Sequence, residues 1–121
     1  MRQIDFPQSL VRAGAARCDI TPPVGIYHRM WGAAKHDQST GVHRPLTATA
    51  LALGPGSEAE SDARPVVMIA VDHCLLWSTE MRALLDAVAA GGDAGQEELI
   101  VLFTHTHAAG LMGLERCELP G

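Results

Sequence analysis

The segment Thr104-His105-Thr106-His107 holds the most evident chemistry of the chain. In an extended backbone residues i and i+2 point to the same side, so His105 and His107 face one site together while Thr104 and Thr106 face away. Neutral imidazole is a good zinc ligand, and two on one side of a strand end form a partial chelate. A hydrolytic zinc site needs about three protein ligands and an open position for water. Binding to the metal lowers the water pKa from ~15.7 to about 7, which supplies hydroxide at neutral pH. The same spacing also suits two strand-end histidines whose ring nitrogens are satisfied by backbone or water.

Two zinc signatures can be tested directly. HxHxDH, the metallo-β-lactamase pattern, requires Asp and His where Ala109 and Gly110 stand, so it fails. The amidohydrolase barrel places its HxH at the end of its first strand, whereas here a βα unit and further strand-like segments come first.

Those histidines leave Leu99-Ile100-Val101-Leu102-Phe103, a continuous apolar run of the kind a buried strand shows. Pro65 to Val71 is a second such run, ending at Asp72-His73. Between them Ser78 is placed to cap a helix, Glu80 suits its first turn, and Met81, Leu84, Leu85 and Val88 recur at helical spacing until Gly91-Gly92. Strand, helix and strand make a βαβ unit with parallel, adjacent strands covered on both faces. Ligands gather beyond the carboxyl ends of such strands, and neighbours ~4.8 Å apart bring Asp72 and the His105 segment toward one shared cleft.

Upstream, Val11 to Ile20 reads as a strand ended by Thr21-Pro22-Pro23-Val24-Gly25, since consecutive prolines remove ladder donors. Residues 26 to 44 are irregular and carry His28, His36 and His43, a candidate functional loop. Their spacing matches no metal-ligand pattern, which favours solvated loop histidines. Leu46 to Leu53 alternates as a further strand ended by Gly54-Pro55-Gly56, and Ser57 to Asp62 is an acidic turn. Cys74 reads as a small buried hydrophobe, His73 as either a cleft residue or a strand-end polar group, and Arg12 and Arg17 as surface charges. The fold class is therefore α/β, a mixed sheet containing a parallel βαβ unit.

Composition narrows the function. The 121 residues are 47% hydrophobic and 19% charged, the size and texture of one globular unit. Nine basic against 14 acidic residues leave a net charge of −5, and aromatics make up 4%, so neither a phosphate-binding face nor a base-stacking platform is expected and nucleic acid is excluded as a partner. Cys18, Cys74 and Cys117 form neither a disulfide framework nor a CxxC pair. The opening residues lack the apolar core of a secretory signal, which points to the cytoplasm, and no stretch approaches the ~20 apolar residues of a membrane span.

Four segments in order carry a family resemblance: Ala13 to Gly25, with Asp19-Ile20-Thr21-Pro22-Pro23 at its centre; Gly41-Val42-His43-Arg44-Pro45-Leu46 and the residues to Leu51; Val66 to Asp72; and Thr104-His105-Thr106-His107. Together they resemble the N-terminal part of the neutral/alkaline (non-lysosomal) ceramidase family and its bacterial relatives, over about Val11 to Gly110. The resemblance implies zinc-dependent hydrolysis of the amide bond of ceramide to a sphingoid base and a fatty acid. It further implies that His105 is the first zinc ligand, that His107 faces the substrate amide and stabilises the developing oxyanion, and that Asp72 supports the site from the preceding strand end. Residues 1–121 would then be the N-terminal portion of a larger layered α/β catalytic domain, with residues 1–10 a poorly ordered leader. The family's further histidine, glutamate and tyrosine ligands lie far downstream, and His73 or Glu115 has no counterpart among them. The 121 residues alone are then expected to be inactive. Family members are often secreted. Ala108-Ala109-Gly110 replaces the family's Ser-Gly-Pro, so an amidase of the same family with a non-ceramide substrate is an alternative, as is a non-catalytic α/β module.

Overall fold

A computed structural model describes residues 10–29, 32, 34–56, 63–92, 95–111 and 118. The expected leader up to residue 9, the acidic turn Ser57 to Asp62, and Glu115 and Cys117 lie outside the described residues.

Among the described residues the architecture is a four-stranded mixed sheet with one helix, in the order β1 (Val11–Asp19), β2 (Thr47–Pro55), β3 (Val66–Val71), α1 (Ser78–Gly91), a short 3-10 turn (Gln96–Glu98) and β4 (Leu99–Phe103). Spatial order follows chain order, with β1 and β2 antiparallel, β2 and β3 antiparallel, and β3 and β4 parallel. The expected βαβ unit is thus present, its strands adjacent. β2 starts one residue later than expected and runs on through Gly54 and Pro55. Proline is tolerated there because it ends the strand past Leu53, the last residue paired with β3, and on the other side it pairs with Val11, its carbonyl accepting from Arg12 Nε at 2.9 Å.

Strand register sorts the side chains by face. Val67, Ile69 and Val71 pair with Leu99, Val101 and Phe103, and on this face Ile69 and Val71 are buried. On the opposite face Ile100 and Leu102 are 45% and 51% exposed. The continuous apolar runs predict cover on both faces, and the structure corrects this: among the described residues nothing buries the Ile100 and Leu102 face. The least exposed stripe of α1 is Met81, Leu84, Leu85 and Val88, the expected i, i+3, i+4, i+7 set. Ser78 is not the N-cap. It is already helical, and Trp77 precedes it in extended conformation without a side-chain cap bond.

β1 is exposed along its whole length. It is an edge strand of small residues whose Arg12 and Arg17 reach back over β2, Arg17 Nε donating to Thr49 Oγ1 at 2.9 Å. Such charges blunt edge-to-edge pairing. Among the described residues no helix is long and apolar enough to cross a membrane.

Candidate metal centre

The site grows from the ends of the two parallel strands. Beyond β3 and β4 the backbones stay in register: Thr104 N donates to Val71 O at 3.1 Å and His105 N to His73 O at 3.0 Å. This pairing lays the segment after β4 alongside Asp72-His73-Cys74. His105 takes a left-handed backbone conformation, with φ at 59°, the one non-glycine residue to do so among those described. For a side chain with a Cβ that conformation is strained, and such residues concentrate at functional sites.

The turn aims both imidazoles at Cys74. The buried Cys74 Sγ lies 3.8 Å from each ring nitrogen of His105 and 3.9 Å from His107 Nε2. The two rings meet edge to face with centroids 5.2 Å apart. One donor atom from each of the three residues lies within 4.8 Å of the others. A tetrahedral zinc with bonds of ~2.3 Å to sulfur and ~2.0–2.1 Å to nitrogen separates sulfur from nitrogen by about 3.6 Å, close to the 3.8 and 3.9 Å found between Cys74 Sγ and the imidazole nitrogens. The cluster could therefore hold a metal ion, with Cys74 as its buried floor and the exposed His105 at its mouth.

The remaining residues that drew notice in the sequence fall into two groups. Asp72, Thr106 and Ala108 line a pocket of about 620 Å³ together with His28, His36 and His43. Cys74, His105 and His107 are not part of its wall. The single cleft expected at the strand ends is thus two features, a Cys–His cluster that could hold a metal ion and a separate pocket. His73 is buried and turned onto its own bend, its Nδ1 accepting from Leu75 N at 3.3 Å. Residues 26–44 are not wholly irregular: Tyr27 and Gln38 form an antiparallel bridge. That bridge brings His28 and His36 together while the contact stays solvent-exposed, with His36 Nδ1 3.1 Å from His28 Nε2. Cys74 is the donor that pattern reading misses, because nothing in the local sequence sets it apart from a core cysteine.

Two carboxylates brace this end of the sheet. Asp19 Oδ1 accepts from Thr21 N at 2.7 Å, and Thr21 Oγ1 in turn accepts from Leu46 N at 2.9 Å, which joins the end of β1 to the start of β2. Asp72 Oδ2 accepts from Thr47 N at 2.8 Å and from Thr47 Oγ1 at 3.0 Å. The hydrogen bonds from Thr47, helped by Thr104 and Arg17, hold the Asp72 carboxyl below the usual carboxylate range, as those from Thr21 do for Asp19. A depressed folded-state pKa stabilises the protein above the unfolded value, and that stabilisation is lost as pH falls through the folded value. Asp72→Asn is accordingly expected to lower the urea midpoint at neutral pH, with the gap to wild type closing below the ordinary carboxylate range. Urea titrations across that range check this, and a gap independent of pH would contradict the account.

No family model matches the chain, and neither a curated protein nor a solved structure is significantly similar to it.

Proposed function

We propose that this chain is the N-terminal part of a zinc-dependent amide hydrolase of the kind the ceramidase resemblance implies, acting on a lipid amide. The observation that carries this reading is the convergence of His105 and His107 on Cys74 at the carboxyl ends of parallel strands. Amide hydrolysis adds a water oxygen to the carbonyl carbon, breaks the carbon–nitrogen bond and passes a proton to the leaving amine. The products are a carboxylate and an amine. Zinc held here would supply Lewis-acid activation of that water.

The chain's own residues would divide the remaining work. His105 holds the metal from the mouth of the site. His107 donates a hydrogen bond to the amide carbonyl oxygen as negative charge develops there, the preorganised stabilisation on which acyl transfer depends. Asp72 positions the end of β3 through Thr47 and Thr104, and with it the segment that carries both histidines. The open apolar face of Ile100 and Leu102 is in keeping with a unit that belongs to a larger layered domain.

A second reading rests on the 3.9 Å approach of His107 Nε2 to Cys74 Sγ. Cys74, His105 and His107 would then all be ligands, the three-ligand set with an open position that catalytic zinc sites use. His107→Ala separates the readings. Zinc content measured by mass spectrometry is expected to stay near wild type while turnover of a fluorescent N-acylsphingosine by the full-length enzyme falls by about 10²–10³, as for loss of an oxyanion donor. Loss of zinc together with turnover assigns His107 as a ligand. Unchanged zinc and unchanged turnover remove His107 from the chemistry. A zinc-replete protein that cleaves no acyl amide would instead favour the non-catalytic module.

A further inference from the structure

A second pair of imidazoles stands on a different part of the fold. Residues 25–28 and 37–39 form a short antiparallel ribbon, with Gly25 N donating to Ser39 O at 3.0 Å, Ser39 N to Ile26 O at 3.0 Å and His28 N to Asp37 O at 2.9 Å. The ribbon is anchored to the body of the protein, since Tyr27 O accepts from Leu111 N at 3.0 Å and Gly110 packs directly against the Ile26 side chain. Eight residues apart in sequence, His28 and His36 meet across it, nitrogen to nitrogen at 3.1 Å, with ring centroids 4.8 Å apart.

That geometry is close to a chelate. Two imidazole nitrogens bound at ~2.0–2.1 Å to one tetrahedral ion lie about 3.3 Å apart, a few tenths of an ångström from the spacing found. Without metal, a single hydrogen occupies the space between His28 Nε2 and His36 Nδ1. An ion in its place satisfies both lone pairs. Both rings also line the 620 Å³ pocket, so further coordination positions on the ion open into its interior. Charge permits a cation: the nearby Arg29 guanidinium is paired with Asp37 at 3.0 Å, and the pocket wall carries the Asp72 carboxylate as well as Arg44.

We propose that His28 and His36 form a second metal site, selective for divalent transition ions that favour imidazole, such as Zn²⁺, Ni²⁺ and Cu²⁺. The site opens into the pocket and does not depend on the Cys74 cluster. A ligand with a carboxylate or hydroxyl group would bind there by completing the ion's coordination.

Calorimetric titration of the metal-stripped protein with Zn²⁺ tests this, alongside His28→Asn, His36→Asn and the double variant Cys74→Ala/His105→Ala. Wild type is expected to take up two equivalents, and either histidine variant is expected to lose one of them. The double variant should lose the other and keep the His28–His36 equivalent, so the two sites stand or fall separately. If His28→Asn and His36→Asn bind zinc as wild type does, the proposal is overturned. Nitrogen-15 NMR of wild type guards against a folding artefact: His28 Nε2 and His36 Nδ1 should move to metal-bound shifts as zinc is added. Resonances that stay in place at saturating zinc overturn the proposal whatever the variants do.

Discussion

His105→Gly is expected to deplete the Cys74 cluster of metal while leaving the metal-free protein at least as stable as wild type. These two effects come from different properties of the same residue. The imidazole supplies a donor 3.8 Å from Cys74 Sγ, and its removal leaves at most two donors in the cluster. Losing a supporting hydrogen bond around a metal typically costs 10–100-fold in affinity, so deletion of a direct ligand should exceed about 100-fold. The backbone contributes the opposite sign. A left-handed conformation costs a residue with a Cβ ~1–2 kcal/mol, whereas glycine enters that region freely. His105 sits there at φ 59°, so glycine relieves strain that alanine retains. His105→Ala should therefore lose the metal equally and melt below His105→Gly. Zinc content of the two variants after zinc loading, and thermal midpoints of their metal-free forms, settle both halves. Unchanged zinc in either variant would remove His105 from the site, and equal midpoints would show that the φ value stores no strain.

The contrast between these two properties marks where sequence reading stops. The HxH spacing and the strand it leaves are legible because both are local: an apolar run followed directly by alternating polar residues predicts a strand end with paired imidazoles. The helix stripe Met81, Leu84, Leu85 and Val88 is legible for the same reason. Cys74 is not, because it lies 31 residues from His105 and reaches it only through the parallel register of β3 and β4, which extends past the strand ends. The left-handed turn at His105 is equally hidden, since histidine carries no preference that demands it. His28 and His36 fail to register as a pair because residues eight apart lie about 12 Å apart along a helix and about 26 Å apart along a strand, too far to touch within one element. They meet across a ribbon whose pairing depends on the Tyr27–Gln38 bridge. Cover on both faces of β3 and β4 is overestimated for a related reason. Ile100 and Leu102 make a run continuous whether or not anything packs on them, and hydrophobicity alone does not count the layers.

Cys74 supports the sharpest remaining test, because its two roles predict different outcomes. As a buried apolar side chain it would be replaced by alanine with a modest stability loss and no effect on metal. As a ligand it supplies the sulfur of the cluster, and Cys74→Ala should weaken zinc binding by more than about 100-fold, by the same comparison with supporting contacts. Cobalt gives the distinction a direct signature. A Co²⁺-loaded wild-type protein should show the near-ultraviolet charge-transfer absorption of a thiolate bond, and Cys74→Ser should lack it even where His105 and His107 still hold the ion. Proton release adds an independent reading: a cysteine ligand must give up its proton to bind, so calorimetry in buffers of different ionisation enthalpy should show fewer protons released by Cys74→Ser than by wild type. Serine keeps the side-chain volume but adds a hydroxyl in a buried position, at a cost of ~1–3 kcal/mol if it finds no partner. Alanine carries no such group, so concordance of the two variants in metal affinity, despite different stabilities, would tie the loss to the sulfur rather than to the fold. A cobalt spectrum without the thiolate band in wild type would return Cys74 to the core and leave the two histidines to hold the ion from the strand end alone.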